Sequence, residues 1–324
     1  MIGYQSGYYH TGGPNTFVGR YAGRGTTGTA SSLHNAAFGY NALQAINQGD
    51  YNVAVGSYAA DALTSGIDNT AVGYSSLGST TTGQYNVAVG SYCLPANTTG
   101  GTNTAMGVNA LNYTTTTGGS TAVGYAALKG AASQTGENNT GLGSYAGQLV
   151  TNGSNNTLVG HNAGGGASVP GGSVTTASNQ VCIGNQNVTN AHIQVDWTIA
   201  SDARDKTDVE DLSVGLDFVK QLKPKTYRWD KRSKYSKDQS IDPDGSHKAD
   251  QLDVGFLAQD VEAIEEQYGY KRADKTNLLT YLSGDGEMYG ITYSKLIPML
   301  TKAVQELSAE VEELKKKAHN KCEE

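Results

Sequence analysis

A glycine repeat with a fixed spacing dominates the first half of the chain. Glycine recurs at intervals of 17 residues, at positions 39, 56, 73, 90, 107 and 124. Most of these glycines close a phrase of the type Asn-x-Ala-Val-Gly, such as NVAVG at 52–56 and NTAVG at 69–73. A repeat this short cannot bury an apolar face by itself, so successive repeats must stack into a solenoid.

Each phrase predicts one short strand of that solenoid. Its β-branched residues favour a strand, and the closing glycine favours a turn. A second glycine ten residues further on, as at Gly49 and Gly66, predicts another turn in each period. Alternate strand residues share a face, and we expect these to line a core shared by the stacked repeats: Val53, Val55, Val87 and Val89.

Two further residue types recur with the repeat, and each allows two interpretations. One set consists of asparagines: Asn52, Asn69, Asn86 and Asn103. Their side chains could coordinate an ion or a glycan, but we favour the interpretation that they satisfy backbone groups at the turns. The other set consists of tyrosines after the closing glycine, which form either a sugar-stacking stripe or, as we favour, a packed ladder: Tyr40, Tyr58, Tyr74, Tyr92, Tyr125 and Tyr145.

Charge and glycine content change abruptly near residue 200. Residues 1–200 hold only 3 of the 23 basic side chains and 5 of the 30 acidic ones, but 35 of the 42 glycines. The change predicts two differently built parts. We expect a repeat rod over 1–165, connecting strands over 166–200 that include QVCIG and HIQVDWTIA, and a charged α+β part over 201–324.

The composition also argues against several classes of function. A net charge of −7 without a basic stretch in the first two thirds argues against a nucleic-acid partner. The chain has no run of 18 apolar residues and no basic start followed by an apolar run, so we expect neither membrane insertion nor a secretion signal. Three scattered cysteines, Cys93, Cys182 and Cys322, fit neither a disulfide framework nor a zinc site. We therefore expect no metal and no cofactor.

The charged part alternates helical and strand-like patterns. Leucines and valines from Leu212 to Leu222 predict a helix that ends before Pro224. Strands are predicted at 225–229, 253–258 and 289–293, and a helix at 259–268. The last helix carries apolar residues at alternating steps of three and four, which predicts a coiled coil over 294–318: Ile297, Leu300, Val304, Leu307, Val311, Leu314 and Ala318.

Four blocks of this part carry a resemblance. SDARDK at 201–206, LKPKTYRWD at 222–230, VGFLAQDVE at 254–262 and YSKLIPMLTKAVQEL at 293–307 resemble, in order, the intramolecular chaperone auto-processing domain. That domain ends phage tailspikes, tail fibres and neck appendages, and occurs in myelin-regulatory-factor-type transcription factors. The Asn-x-Ala-Val-Gly phrases resemble trimeric β-roll adhesin heads and viral tail-fibre shafts.

The resemblance implies a trimeric chaperone that cuts itself off between Ala200 and Ser201. It assigns Ser201 as the nucleophile and Lys206 as the base of an autoproteolytic serine endopeptidase. The trimer depends on this resemblance, because Ile or Val at the a positions with Leu at the d positions favours two strands in isolated parallel coils.

The spacing of the implied catalytic pair requires a turn between its members. Residues five apart point to opposite faces of a strand and lie about 140° apart around a helix. We expect Asp202 or Asp205 to cap the intervening turn. Arg204 either anchors Asp202 or is solvated. Gln259, in the third resembling block, is expected to support the fold and not to touch the bond.

These expectations combine into one functional hypothesis. The chain is expected to be a homotrimeric, phage-like tail fibre or appendage, made in the host cytoplasm and built into the virion. Its partners would be other tail proteins and a host receptor or glycan. The alternative is a bacterial trimeric adhesin head with the same type of chaperone. A polysaccharide-degrading spike is disfavoured because acidic residues of the rod are few and scattered: Asp50, Asp61, Asp68, Glu137 and Asp196.

Overall fold

The computed structural model divides the chain into two compact units, Met1–Val188 and Thr189–Glu324. The division falls ahead of the compositional change at residue 200. The structure describes residues 1–26, 30–131, 134–165, 174–188, 190–194, 197–235, 241–283, 286 and 288–322. The start of the expected connecting segment, at 166–173, lies outside the described residues, as does Asp196.

The N-terminal unit is a β-solenoid, which confirms the fold predicted from the repeat. Within the described residues of this unit, ten three-residue strands form one parallel sheet in sequence order, and neighbouring strands across the regular part pair residues 17 apart, as Ala54 with Ala71. The strands are β1 (Thr16–Val18), β2 (Ala36–Phe38), β3 (Val53–Val55), β4 (Thr70–Val72), β5 (Val87–Val89), β6 (Thr104–Met106), β7 (Thr121–Val123), β8 (Thr140–Leu142), β9 (Thr157–Val159) and β10 (Val181–Ile183).

The predicted core face of these strands is wrong. In β3 the central Ala54 is fully buried, whereas Val53 and Val55 are each 38% exposed. The same holds in β5, where Ala88 is buried and the valines beside it, Val87 and Val89, are only half-buried. The strand residues that line the interior are therefore the central alanines, and the valines face outwards.

A narrow interior explains this inversion. A column of leucines four residues after the closing glycines is also fully buried in the same core, as at Leu77, Leu94 and Leu128. At the centre of β8, where Gly141 takes the place of alanine, an added Cβ would lie 2.7 Å from Leu128 Cγ. Where the leucines fill the space opposite the strands, the strand centres are small. Near the two ends, where glycines such as Gly23 and Gly164 take the place of the leucines, the strand centres are the large side chains Phe17 and Leu158.

The asparagines satisfy backbone groups between the stacked turns, as favoured from the sequence. Asn86 Oδ1 accepts hydrogen bonds from Asn103 N at 3.1 Å and from Asn103 Nδ2 at 3.2 Å. Its own Nδ2 donates to Asn69 Oδ1 at 3.1 Å and to the Gly100 carbonyl at 2.9 Å. Repeated from turn to turn, these bonds join each repeat to its neighbours through buried amides.

Replacing Asn86 by alanine is expected to destabilise the solenoid. The N–H groups of Asn103 lose their acceptor in a fully buried position, at a cost of roughly 1–3 kcal/mol for each orphaned group. Urea unfolding followed by circular dichroism measures the loss. Gln84→Ala is the control, because Gln84 is exposed two residues away. Equal stability of the two variants would contradict the role of the ladder.

The C-terminal unit is a small α/β region that ends in a long helix. Its helices are α1 (Leu216–Gln221), α2 (Ala258–Gln267) and α3 (Leu296–Cys322), and its 3₁₀ turns are Ala203–Asp205, Arg232–Lys234 and Tyr293–Lys295. Two antiparallel pairs complete it, β11 (Lys225–Tyr227) with β12 (Asp253–Gly255) and β13 (Thr280–Leu282) with β14 (Tyr289–Ile291). The core joins side chains of all three helices: Val214, Phe218, Val261, Ile264, Leu279, Leu296 and Met299.

Two carboxylates connect distant elements of this unit. Glu265 of α2 is fully buried and accepts hydrogen bonds from the backbone N–H groups of Leu278 and Leu279 and from Thr280 Oγ1. Glu306 of α3 accepts from Leu216 N at 2.7 Å, which caps α1 in the absence of a capping side chain at Gly215. Glu306 thereby fixes α3 to α1, and Glu265 fixes β13, of the strand pair between α2 and α3, to α2.

Two local predictions for this region are wrong, and one strand was missed. The helix expected from Leu212 begins only at Leu216, and β13 was not predicted. The strand expected at HIQVDWTIA is absent from 192–194 and 197–200, the described part of that segment. An alternating segment forms a strand only when a neighbouring edge supplies its hydrogen bonds, and within the described part of the single chain no strand pairs with these residues.

Candidate functional site

Ser201 and Lys206 contact each other directly. Lys206 Nζ lies 2.6 Å from Ser201 Oγ and 3.4 Å from the Ser201 carbonyl oxygen. The hydroxyl and the amine that the resemblance implies as nucleophile and base are therefore within the distance that proton transfer requires. Ala200 precedes this pair in a segment without regular secondary structure, with its side chain exposed.

A capped 3₁₀ turn brings the two residues together. The turn runs over Ala203–Asp205, and Asp202 is its N-cap, with Oδ1 accepting from Arg204 N at 2.9 Å. The Lys206 N–H then donates to the Ala203 carbonyl at 3.3 Å. The chain reverses over these residues, so that a spacing of five becomes a side-chain contact. Of the two expected caps, Asp202 and not Asp205 occupies the capping position.

Arg204 pairs with Asp202 while its side chain is 88% exposed, so it combines the two roles considered for it. Arg204 Nη2 lies 2.6 Å from Asp202 Oδ2, and its Nε lies 3.0 Å from Oδ1. These bonds from the guanidinium, together with the Arg204 backbone N–H, lower the pKa of the Asp202 carboxyl. Asp202 therefore stays ionised over a wider range of pH, in the form that accepts the capping hydrogen bond.

The site is open to solvent in the single chain. Ser201, Lys206 and the residues at 197–200 are exposed, and the two large apolar residues of that segment, Trp197 and Ile199, are each 73% exposed. Gln259 lies in the first turn of α2 with its side chain exposed. Among the described residues, no hydrogen bond joins Gln259 to the Ser201–Lys206 pair.

The long helix α3 presents two apolar faces. Leu296, Met299 and Ala303 are buried in the core of the C-terminal unit. A second stripe on the same helix is between 40% and 65% exposed and follows the alternating spacing predicted from the sequence: Ile297, Leu300, Val304, Leu307, Val311 and Leu314. This second stripe has the form of a coiled-coil seam.

Comparison with known families identifies the segment that begins at the turn. Residues 201–270 match the Peptidase_S74 family, described as the chaperone of endosialidase. This segment is therefore similar to a chaperone-of-endosialidase domain. It begins at Ser201 and includes the first three of the four resembling blocks. No curated protein and no solved structure matches the chain.

The family match and the fold together indicate the general class of protein to which the chain is similar. A C-terminal chaperone-of-endosialidase domain after a β-solenoid fits a tail fibre or tailspike with a chaperone at its end. The Peptidase_S74 family also implies an autoproteolytic serine peptidase activity in general terms. In the described part of the chain, no helix is both long and apolar enough to cross a membrane, and no cluster of side chains fits a metal ion.

Proposed function

We propose that the chain is the subunit of a homotrimeric virion tail fibre whose C-terminal unit directs assembly of the rod and then detaches by cutting the Ala200–Ser201 bond. The mature rod serves in attachment to the host. The contact of 2.6 Å between Lys206 Nζ and Ser201 Oγ, at the first residues of the chaperone domain, carries this proposal.

The reaction needs only groups of the chain itself and water. Ser201 Oγ attacks the carbonyl carbon of Ala200 while its proton passes to Lys206 Nζ, and the oxyanion that forms is held by backbone N–H groups. The C–N bond then breaks, the proton passes to the Ser201 nitrogen, and an ester joins Ala200 to Ser201 Oγ. Water hydrolyses that ester. Because the substrate is part of the same chain, its effective concentration is very high and a modest catalyst suffices for one turnover.

Assembly is the step that activates Lys206 in this proposal. A lysine amine accepts a proton only in its neutral form, which burial favours. Ser201 and Lys206 are both exposed in the single chain, so the burial must come from neighbouring copies. The exposed apolar side chains of Trp197 and Ile199 beside the bond give such copies a surface to cover. Cleavage would thus follow trimer formation.

Two unpartnered apolar surfaces support self-association. The exposed stripe on α3 is one of them. The other is the outer face of the solenoid sheet, where the third residue of every strand is a large apolar side chain, exposed to 38% or more at several positions: Phe38, Val55, Met106, Val123, Leu142 and Ile183. A continuous row of exposed apolar side chains along a whole sheet is typical of a protein–protein interface.

The repeat itself explains why a rod of this kind needs a chaperone. Chains shifted by one period of 17 residues present nearly the same outer face to one another, so the repeats specify their mutual alignment weakly. The non-repetitive C-terminal unit supplies one unique alignment at the chain ends. After its removal, the wound rod is retained by a kinetic barrier to unfolding.

The test compares the full chain with a chain that ends at Ala200. The full chain is expected to yield two pieces, one ending at Ala200 and one starting at Ser201, and a rod whose mass by light scattering is that of a trimer. The shorter chain, without its chaperone, is expected to form heterogeneous or aggregated material.

Each part of the proposal fails on a different result. An intact full chain under native conditions contradicts self-cleavage. A monomeric or dimeric rod contradicts the trimer. Uniform rods from the chain that ends at Ala200 contradict the chaperone requirement, whatever the mass of those rods.

A further inference from the structure

An edge-to-face column of tyrosines runs along one corner of the solenoid. Successive ring centroids lie 5.2–6.3 Å apart with steep interplanar angles, and the column consists of Tyr4, Tyr21, Tyr40, Tyr58, Tyr74 and Tyr92. A shorter column continues after an interruption at Val108 and Asn109, with Tyr125, Tyr145 and His161. The ladder expected from the sequence is therefore present.

The alternating position of the tyrosine in the repeat produces this geometry. Tyr40 and Tyr74 come directly after their closing glycines, whereas Tyr58 and Tyr92 come one residue later. The later position has a left-handed backbone, with φ of 60° at Tyr58 and 51° at Tyr92. Residues at the same place in other repeats share this conformation, as Ser75 and Asn109 do, so this backbone is a feature of the solenoid turn and not of the tyrosines.

The ladder is also exposed and nearly free of charge. Tyr40, Tyr74 and Tyr92 are between 39% and 45% exposed. Between Arg24 and Lys129 the chain has no lysine or arginine and only three acidic residues. The neighbouring phenol raises the pKa of Tyr58 beside Tyr40 and that of Tyr92 beside Tyr74, so these hydroxyls stay neutral. The surface combines apolar ring faces with neutral hydroxyl groups.

We propose that this column, from Tyr40 to Tyr92, binds an extended neutral chain of β-linked pyranose sugars. Aromatic rings with a polar tip pair an apolar face with hydrogen-bonding groups, as a pyranose ring also does. Equivalent rings, such as Tyr40 and Tyr74, recur every two strands, about 10 Å apart, which is comparable to the length of a disaccharide unit in an extended chain. Because the rings of the column already pack against one another, they lose little conformational entropy when a ligand binds.

This inference adds a ligand class to the attachment role proposed above and rests on that role only for its biological setting. The column belongs to the N-terminal unit, so binding does not require the Ser201–Lys206 pair. A chain that cleaves and assembles normally but does not bind sugar would contradict this inference alone. An unsubstituted full chain that stays intact but binds sugar would contradict the self-cleavage proposed above and leave this inference standing.

The experiment titrates the full chain with hexasaccharides of β-1,4-linked glucose and of β-1,4-linked N-acetylglucosamine by calorimetry. Binding is expected to weaken at least about tenfold in Tyr74→Ala, through loss of a ring face, and to change little in Tyr74→Phe, which keeps the ring. Tyr85→Ala is the matched control, because Tyr85 is 54% exposed and lies outside the column; it is expected to bind normally.

Several results would overturn the proposal. They are the absence of binding to both sugars, equal weakening in Tyr85→Ala, and a changed oligomeric state in Tyr74→Ala, which would assign the column to an interface between copies. A measurement without variants keeps the test valid if a substitution prevents folding. On titration of the unsubstituted chain, the ring proton signals of the column must shift while those of Tyr85 do not.

Discussion

Ser201→Ala is expected to keep the chain in one piece. The substitution removes the hydroxyl oxygen that lies beside Lys206 Nζ and that attacks the Ala200 carbonyl in our proposal. Loss of a catalytic nucleophile lowers the rate of cleavage by a factor on the order of 10³ or more. Mass spectrometry of the denatured protein after prolonged incubation measures the fraction cut at Ala200–Ser201.

The controls separate chemistry from folding. Ser213→Ala removes another serine of the same unit, one that bonds Tyr270 at 2.6 Å, and should cleave normally. Lys206→Met should remain uncut, whereas Lys223→Met, at an exposed lysine of the same unit, should be cut. Circular dichroism and light scattering must show that the uncut variants fold and assemble. Cleavage of Ser201→Ala at the same bond would exclude Ser201 as the nucleophile.

The sequence predicted the architecture because the repeat leaves few alternatives. A period of 17 residues with a glycine at each turn is compatible with a solenoid, and the strands fall where the Asn-x-Ala-Val-Gly phrases placed them. It did not predict which face of each strand is inside. Alternation defines two faces, but their assignment depends on the width of the interior, which the leucine column sets from elsewhere in the repeat. The recurrent alanine at strand centres was the available signal.

The sequence also predicted the candidate site only in part. The resemblance pointed to Ser201 and Lys206, but their spacing alone did not bring them together. Their contact depends on the 3₁₀ turn and on Asp202 as its cap, and the presence of an aspartate directly after Ser201 was the local signal for that turn. By contrast, β13 was missed although Thr280 and Tyr281 are residue types that favour a strand; its position is fixed by Glu265, 15 residues earlier in the chain.

Gly73→Ala is expected to destabilise the solenoid strongly, although it adds only one methyl group. Gly73 has a φ of +129°, a conformation that is nearly restricted to glycine. An added Cβ would also lie 2.6 Å from the carbonyl carbon and oxygen of Gly90 in the next turn. These are backbone atoms of the stacked repeat, so they cannot move aside without opening the sheet between β4 and β5. Backbone strain and overpacking together should cost roughly 4 kcal/mol.

A second glycine of the same turn provides the matched control. Gly78 does not have a left-handed backbone, and the nearest atom to an added Cβ is the Ser75 carbonyl oxygen at 3.3 Å. Gly78→Ala should therefore change the free energy of unfolding by no more than about 1 kcal/mol. Urea unfolding of both variants, followed by circular dichroism, measures the difference. Comparable stabilities would mean that neighbouring turns tolerate separation at the glycine column, and that stacking of the repeats depends on the buried asparagines and the alanine–leucine core instead.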